Sequence, residues 1–275
     1  MDALATRIIE VLALPNPGLD MVMATIANID DDAPPPETIS QLFDIMAAKF
    51  RCDQEPQSTD AEPSDSPIST EVSEVMRFVH GSLGFSGDAR SYYQPANSLI
   101  HRVIERRRGI PLTLAAINVE VARRVGVSLS VVGLPGHVVL GDGPVPTRWY
   151  DPFAGGTELS AQECETLFAR FHPSSQFDIA MLTPITPLVF AQRMLANLKV
   201  AYLRTGDLGK FARATGIRAE LPGALTSERV DYARTLAILG RNDQAAAQYE
   251  MLVDLQPEAA HQHQATVRRL HARRN

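Results

Sequence analysis

Two cysteines in 275 residues, Cys52 and Cys164, are too few for a disulfide framework and stand at no zinc-ligand spacing. Aromatics are scarce, at 6% with a single Trp, so Ala, Leu and Val carry most of the apolar mass and favour helices. Basic charge is in deficit: 26 Lys and Arg stand against 32 Asp and Glu, for a net charge of −6. That balance argues against nucleic acid as a partner, because phosphate binding needs a basic surface. The C-terminal end departs from it, with no carboxylate after Glu258 and with Arg268, Arg269, Arg273 and Arg274 near the terminus; a solvated helix end is expected there. No apolar run approaches the roughly 20 residues that span a bilayer. The apolar stretch in the first ten residues is flanked by Asp2 and Glu10 and lacks the basic start and small-residue cleavage site of a leader peptide. A cytoplasmic protein without membrane contact is the expectation.

What is present is mostly helical patterning. Leu4, Ile8, Val11 and Leu12 recur at helical spacing before the Pro15-Asn16-Pro17-Gly18 breaker, and Ile39, Leu42, Phe43 and Met46 share a face further on. Residues 1–50 thus form an N-terminal helical segment. Arg51 to Ser69 is polar and acidic with hardly an apolar residue; it cannot repay its ordering entropy and reads as a flexible linker. A third region, 70–184, begins with a helix through Val72, Val75, Met76 and Val79. Near its middle, Gly109-Ile110-Pro111 breaks the chain and sets a proline in the first turn of a helix from Pro111 to Val125, closed by Gly126. This helix is apolar on nearly every side and should lie at the domain centre. Three β-type runs follow, 127–133, 137–140 and 148–151. From 185 to 275 the chain is helical again, with a weak repeat. Leu203 to Asp207 resembles Leu239 to Asp243, an offset of about 35 residues, near the 34 of a tetratricopeptide unit. Counting back from Pro257 sets Ala245 and Tyr249 at that unit's small and aromatic positions.

The order of a bend, a buried helix and strands, with His137 opening one strand and Asp151 ending the next, has a chemical reading. In thiol acyl-transfer enzymes a cysteine sits at a helix N-terminus, whose dipole favours the thiolate. A histidine on a neighbouring strand takes the proton and a carboxylate orients that histidine. His137 and Asp151 stand in the order of the last two roles; a structural histidine after a Pro-Gly turn is the plainer alternative. Glu105 with Arg106, Arg107 and Arg108 reads as a charged helix end, or as an arginine pairing with Glu105 or Asp151 to set the bend. His261, His263 and His271 read as an exposed helical face rather than a metal site.

The segment from Phe85 to Gly156 resembles the SirB-type transglutaminase-like family. The matching stretches are Gly84-Phe85-Ser86-Gly87, Tyr92-Tyr93, Asn97-Ser98, the run from Glu105 to Leu114, Val121 to Arg124, Gly133-Leu134-Pro135-Gly136-His137 and Asp151-Pro152-Phe153 with Gly155-Gly156. The resemblance implies an α+β fold with a papain/transglutaminase-like core, a central helix packed on an antiparallel sheet, followed by tetratricopeptide-like helices. It also implies that His137 and Asp151 match the histidine and aspartate of the triad. Aligning Gly109 and Gly126 with the glycines that flank the nucleophile helix puts Pro111 at the cysteine position. The nearest hydroxyl is that of Thr113, a candidate nucleophile only if a base reaches it. Cys52 and Cys164 fall outside the constellation and are expected to be dispensable. No cofactor and no metal is expected. Three functions follow: a peptide- or protein-binding regulator, a hydrolase or acyl-transfer enzyme using His137 and Asp151 with Thr113 or an activated water, or an adaptor whose repeats alone bind. The sequence leaves partner identity and oligomeric state open.

Overall fold

The computed structural model describes residues 2–54 and 67–272. Three helices come first: α1 (Ala3–Leu12), α2 (Leu19–Ala27) and α3 (Pro36–Gln54). Asp2 starts α1, its carboxylate accepting the Leu4 N–H at 2.7 Å. The expected linker from Arg51 to Ser69 is helical at both of its described ends. Arg51 to Gln54 continue α3 and Pro67 to Ser69 begin α4 (Pro67–Met76), while 55–66 lie outside the described residues. α4 runs on into a π-helical turn at Arg77–Ser82.

At the centre is α6 (Pro111–Val125), reached through α5 (Ile100–Arg106) and a two-residue parallel ladder of β1 (Ser86–Gly87) with β2 (Arg108–Gly109). α6 buries Leu112, Leu114, Ala115, Ala116, Ile117, Val121 and Ala122. The sequence marks both of its ends: Pro111 opens it and Gly126, at φ 83°, closes it in the left-handed region. Four antiparallel strands follow in chain order: β3 (Ser130–Val132), β4 (Val139–Gly141), β5 (Trp149–Asp151) and β6 (Thr157–Leu159). Their period of two splits the side chains. Val131, Leu140 and Tyr150 join the core around α6, whereas Val132, Val139 and Trp149 pack with Cys164 and Phe168 of α7 (Ala161–Phe171). The sheet is therefore covered by α6 on one face and α7 on the other. The expected strands are shorter than drawn, β6 was not anticipated, and His137 precedes β4 by two residues instead of opening it.

The N-terminal helices share the α6 core: Ile8, Met23, Ile26 and Phe43 belong to the same apolar cluster as Ile117 and Val121. A buried polar cluster reinforces the joint. Glu120 accepts from Arg124 Nη1 at 2.6 Å, from Arg123 Nη2 at 2.7 Å and from the Leu19 N–H at 2.7 Å. Arg124 also donates to Asp20 at 2.5 Å and to Asp44 at 2.6 Å. α2, α3 and α6 are thus fastened by charge at a place where an unpaired charge would be costly.

The remaining helices are α8 (Pro187–Thr205), α9 (Leu208–Glu220), α10 (Thr226–Ile238), α11 (Asn242–Leu255) and α12 (Ala260–Ala272), each packed on the one before. The two halves of the weak sequence repeat are the α8–α9 and α10–α11 corners, where Gly206 (φ 77°) and Gly240 (φ 73°) turn the chain. Ala245 and Tyr249 are buried in a separate small cluster with Leu236, Leu252 and Leu270. α8 and α9, in contrast, add Phe190, Leu198 and Ile217 to the main core. No helix among the described residues is long and apolar enough to cross a membrane.

Candidate functional site

A cleft of about 580 Å³ opens where the start of α6, the end of β5 and the end of α7 meet. Pro111, His137 and Asp151 line it, with rings from Tyr92, Tyr93, Phe153 and Phe171 and the Arg170 side chain. His137 is set by the tetrad Leu134-Pro135-Gly136-His137, closed by the His137 N–H donating to the Leu134 carbonyl at 3.0 Å. Proline second and a positive-φ glycine third is the type II pattern. Gly136, at φ 79°, has a further constraint: a Cβ there would stand 2.5 Å from Phe171 Cβ. Arg193 of α8 holds the turn from behind, donating to the carbonyls of His137 at 2.9 Å and Leu134 at 3.3 Å.

The imidazole Nε2 lies 3.1 Å from Asp151 Oδ1, and the ring stacks on Phe171 at a centroid distance of 6.2 Å. Asp151 Oδ1 also accepts the backbone N–H groups of Phe153 at 2.8 Å and Ala154 at 3.2 Å. Burial acts most strongly on this carboxyl and by itself would raise its pKa. The His137 bond and charge and the two backbone donors outweigh it and hold Asp151 below the usual carboxylate value. Asp151 is therefore ionised near neutral pH and fixes one ring nitrogen, so that Nδ1 is the nitrogen free of the carboxylate.

Thr113 is elsewhere. It is fully buried at the third position of α6 and does not line the cleft. Its hydroxyl accepts the Ile110 N–H at 3.1 Å, and its one hydrogen lies between the carbonyls of Asn97 at 2.9 Å and Ile110 at 3.0 Å. A hydroxyl with its donor and acceptor capacity committed this way is an N-terminal cap, not a nucleophile. Thr113 thus lacks the base and the cleft access that the nucleophile role expected of it requires.

Arg106 pairs with neither Glu105 nor Asp151; it donates to Asn97 Oδ1 at 2.9 Å and to Asp88 Oδ2 at 3.2 Å. Asn97 Nδ2 donates in turn to Asp88 Oδ2 at 3.2 Å and to the Ser91 carbonyl at 2.7 Å. This buried network ties the loop bearing Tyr92 and Tyr93 to the start of α6, so these motif residues shape the cleft wall without entering it. Of the C-terminal histidines, His263 bonds Gln256 at 3.0 Å and His271 lies 3.8 Å from Glu250; they do not converge.

Cys164 is fully buried on the α7 side of the sheet, among Val132, Val139, Trp149 and Phe168. Burial first, then the charges of Glu163 and Asp151, push its thiol up to about 11, the opposite of what a thiolate nucleophile requires. Sequence reasoning missed Phe171, Leu167 and Arg170. They sit on the turns of α7 that face the cleft, and only the helix period after the Gly155-Gly156 turn offered a signal for them.

Comparison with known proteins gives a consistent family picture. A family profile described as the transglutaminase-like superfamily matches residues 37–196. A UPF0162 protein from Xylella fastidiosa is 37% identical over 148 residues, 50% of this chain and 51% of that protein. A UPF0162 protein from Pseudomonas aeruginosa is 34% identical over 125 residues, covering 45% of this chain and 46% of that one. Human F-box only protein 21 is 28% identical over 148 residues, 48% of this chain but 22% of its own length. The match thus spans about half the length of the bacterial relatives. Among solved structures, menin, whose crystal structure is described as revealing its binding site for the mixed lineage leukemia protein, overlaps with a TM-score of 0.38 at 11% identity. That overlap covers 90% of this chain and 68% of menin, and at that score it carries no argument.

Proposed function

Because this chain belongs to the transglutaminase-like superfamily, we propose that its cleft binds a peptide or protein segment without thiol chemistry. One observation carries the reading: Pro111 stands at the first turn of α6, in the same cleft wall as His137 and Asp151. A nucleophile activated by a helix N-terminus belongs at that point, and proline has neither thiol nor hydroxyl. Cys164 does not substitute, being sealed behind the sheet with its thiol at about 11. The rings of Tyr92, Tyr93, Phe153 and Phe171 suit apolar or aromatic side chains, and Arg170 suits a backbone carbonyl or carboxylate of the bound segment. Within the superfamily we place the chain with the SirB type, with α6 and the four-stranded sheet as its papain-like core. α8 to α12 are read as tetratricopeptide-like helices offering a second interaction surface.

The test is fluorescence anisotropy of a mixed set of extended peptides on the full chain. Binding is expected, and it should weaken about 10-fold in Phe171→Ala, the order of 1.4 kcal/mol, comparable to the loss of one aromatic contact. Phe171 is half exposed, so its truncation leaves the fold intact. Ammonia release or amine incorporation on a glutamine peptide, abolished by Cys164→Ala, would overturn the reading.

A second reading, hydrolysis by an activated water, is favoured by the His137–Asp151 bond in an open cleft. His137 would accept a water proton while Asp151 orients the ring. Appearance of new amino termini in peptide substrates, lost in both His137→Gln and Asp151→Asn, would select it.

A further inference from the structure

At the start of α5, His101 has polar atoms without partners. Its side chain is 8% exposed, and neither ring nitrogen has a hydrogen-bond partner. Buried imidazoles ordinarily satisfy at least one nitrogen. Its Nε2 faces two carboxylates, at 4.0 Å from Asp30 Oδ2 and 4.0 Å from Asp32 Oδ1. Those separations are too long for hydrogen bonds. We propose that Asp30, Asp32 and His101 form a binding site for a single divalent transition-metal cation of the Zn²⁺ or Mn²⁺ kind.

The donor arrangement supports this. The three candidate ligand atoms lie within 4.8 Å of one another. The second oxygen of each carboxylate is already occupied, Asp30 Oδ1 by Lys210 Nζ and Asp32 Oδ2 by Arg102 Nη2. Each carboxylate therefore turns its remaining oxygen toward the imidazole, as outer-shell partners orient metal ligands. Two carboxylate oxygens and one imidazole nitrogen converge on a gap with no hydrogen bond across it, and a cation placed there would bond all three. Around the site, Asp30, Asp31, Asp32 and Glu105 are paired with Arg102, Lys210 and Arg213.

The fit needs a small adjustment. Bonds of roughly 2.0–2.2 Å put tetrahedral ligand atoms about 3.3–3.5 Å apart, so the 4.0 Å separations must close by about half an ångström. Asp32 can supply most of that, because its side chain is 62% exposed and its Arg102 partner, 35% exposed on a long side chain, can follow it. Mixed imidazole and carboxylate donors favour a transition ion over Mg²⁺ or Ca²⁺. The ligands come from the turn after α2 and from α5, and Lys210 and Arg213 come from α9, so an ion would fasten the N-terminal, central and C-terminal helices at one point.

Chelator-treated full-length protein, titrated with Zn²⁺ and with Mn²⁺ by calorimetry and weighed by native mass spectrometry, tests the site. One ion per chain is expected, bound about 10-fold or more weakly in Asp32→Asn and in His101→Gln, with the His101 ring nitrogens shifting in NMR on addition of Zn²⁺. Should His101→Gln fail to fold, exposed Asp32→Asn still decides. No stoichiometric binding would overturn the proposal. So would equal affinity in parent and Asp32→Asn, which would assign the ion to other histidines, and so would a His101 signal unmoved by zinc.

Discussion

Replacing Glu120 by Ala tests whether the N-terminal helices melt with the core. Glu120 is 1% exposed and accepts from Arg124 at 2.6 Å, from Arg123 at 2.7 and 3.0 Å, and from the Leu19 N–H at 2.7 Å. Its removal leaves the first N–H of α2 without its acceptor. Arg124 keeps Asp20 at 2.5 Å and Asp44 at 2.6 Å, so its charge is not stranded. Breaking a buried ion pair costs roughly 3–5 kcal/mol when the partner is left uncompensated, so the lower end, about 3 kcal/mol, applies here. At about 2–4 °C per kcal/mol for chains of 150–250 residues, Tm should fall by roughly 6–12 °C. Glu120→Gln keeps an acceptor for Leu19 and loses the charge, and should fall between parent and Ala. Differential scanning calorimetry is the assay, and a single transition is expected in all three proteins. A drop below about 1 kcal/mol, or an early transition that moves alone while the main one stays, would show that the N-terminal helices are a separately melting unit.

Thr113→Val keeps the shape and leaves the Ile110 N–H and the Asn97 carbonyl only their long 3.4 Å bond to each other; it should cost about 1–3 kcal/mol by urea denaturation, with Thr113→Ser recovering most of it. Loss of function in Thr113→Val at unchanged stability would contradict its role as a cap. Native alkylation at pH 8 should modify exposed Cys52 alone, since the buried Cys164 thiol stands at about 11, and a second adduct should appear only in denaturant. Cys164→Ser buries a hydroxyl among apolar groups and should destabilise by about 1–3 kcal/mol. Acid should destabilise in two stages. Burial lowers His80 below its ordinary 6.5, so the stability it contributes is complete above pH 6.5 and is lost as pH falls through its lowered value. Asp20 and Asp151, held below 3.8 despite burial, contribute above pH 3.8 and lose that stability as pH falls further. Chemical denaturation between pH 8 and pH 3 should show both declines, and a stability that rises between pH 6.5 and 5 would refute the first.

Local chemistry in the sequence determined a good deal of this protein. Proline at the start of α6 and glycine after it set that helix's bounds, because one supplies a fixed φ without an N–H and the other a left-handed cap. Pro135-Gly136 set the turn that carries His137, and apolar runs mark β3 to β5, but because both faces are apolar only the packing shows which side chain enters which core. The pairing of chain-distant groups was decided only in three dimensions. Asp88 and Asn97, not Glu105, receive Arg106, because the β1–β2 ladder brings the loop after Gly87 beside the end of α5. Whether the Thr113 hydroxyl was free depended on a carbonyl 16 residues earlier. The sheet between α6 and α7 keeps Cys164 out of the cleft, while Phe171, at the very end of α7, reaches it. Composition separated residues 1–50 from the rest, but burial of Ile8, Met23 and Phe43 against α6 made them one core, since apolar area leaves water wherever the chain's path allows and not where its sequence is contiguous.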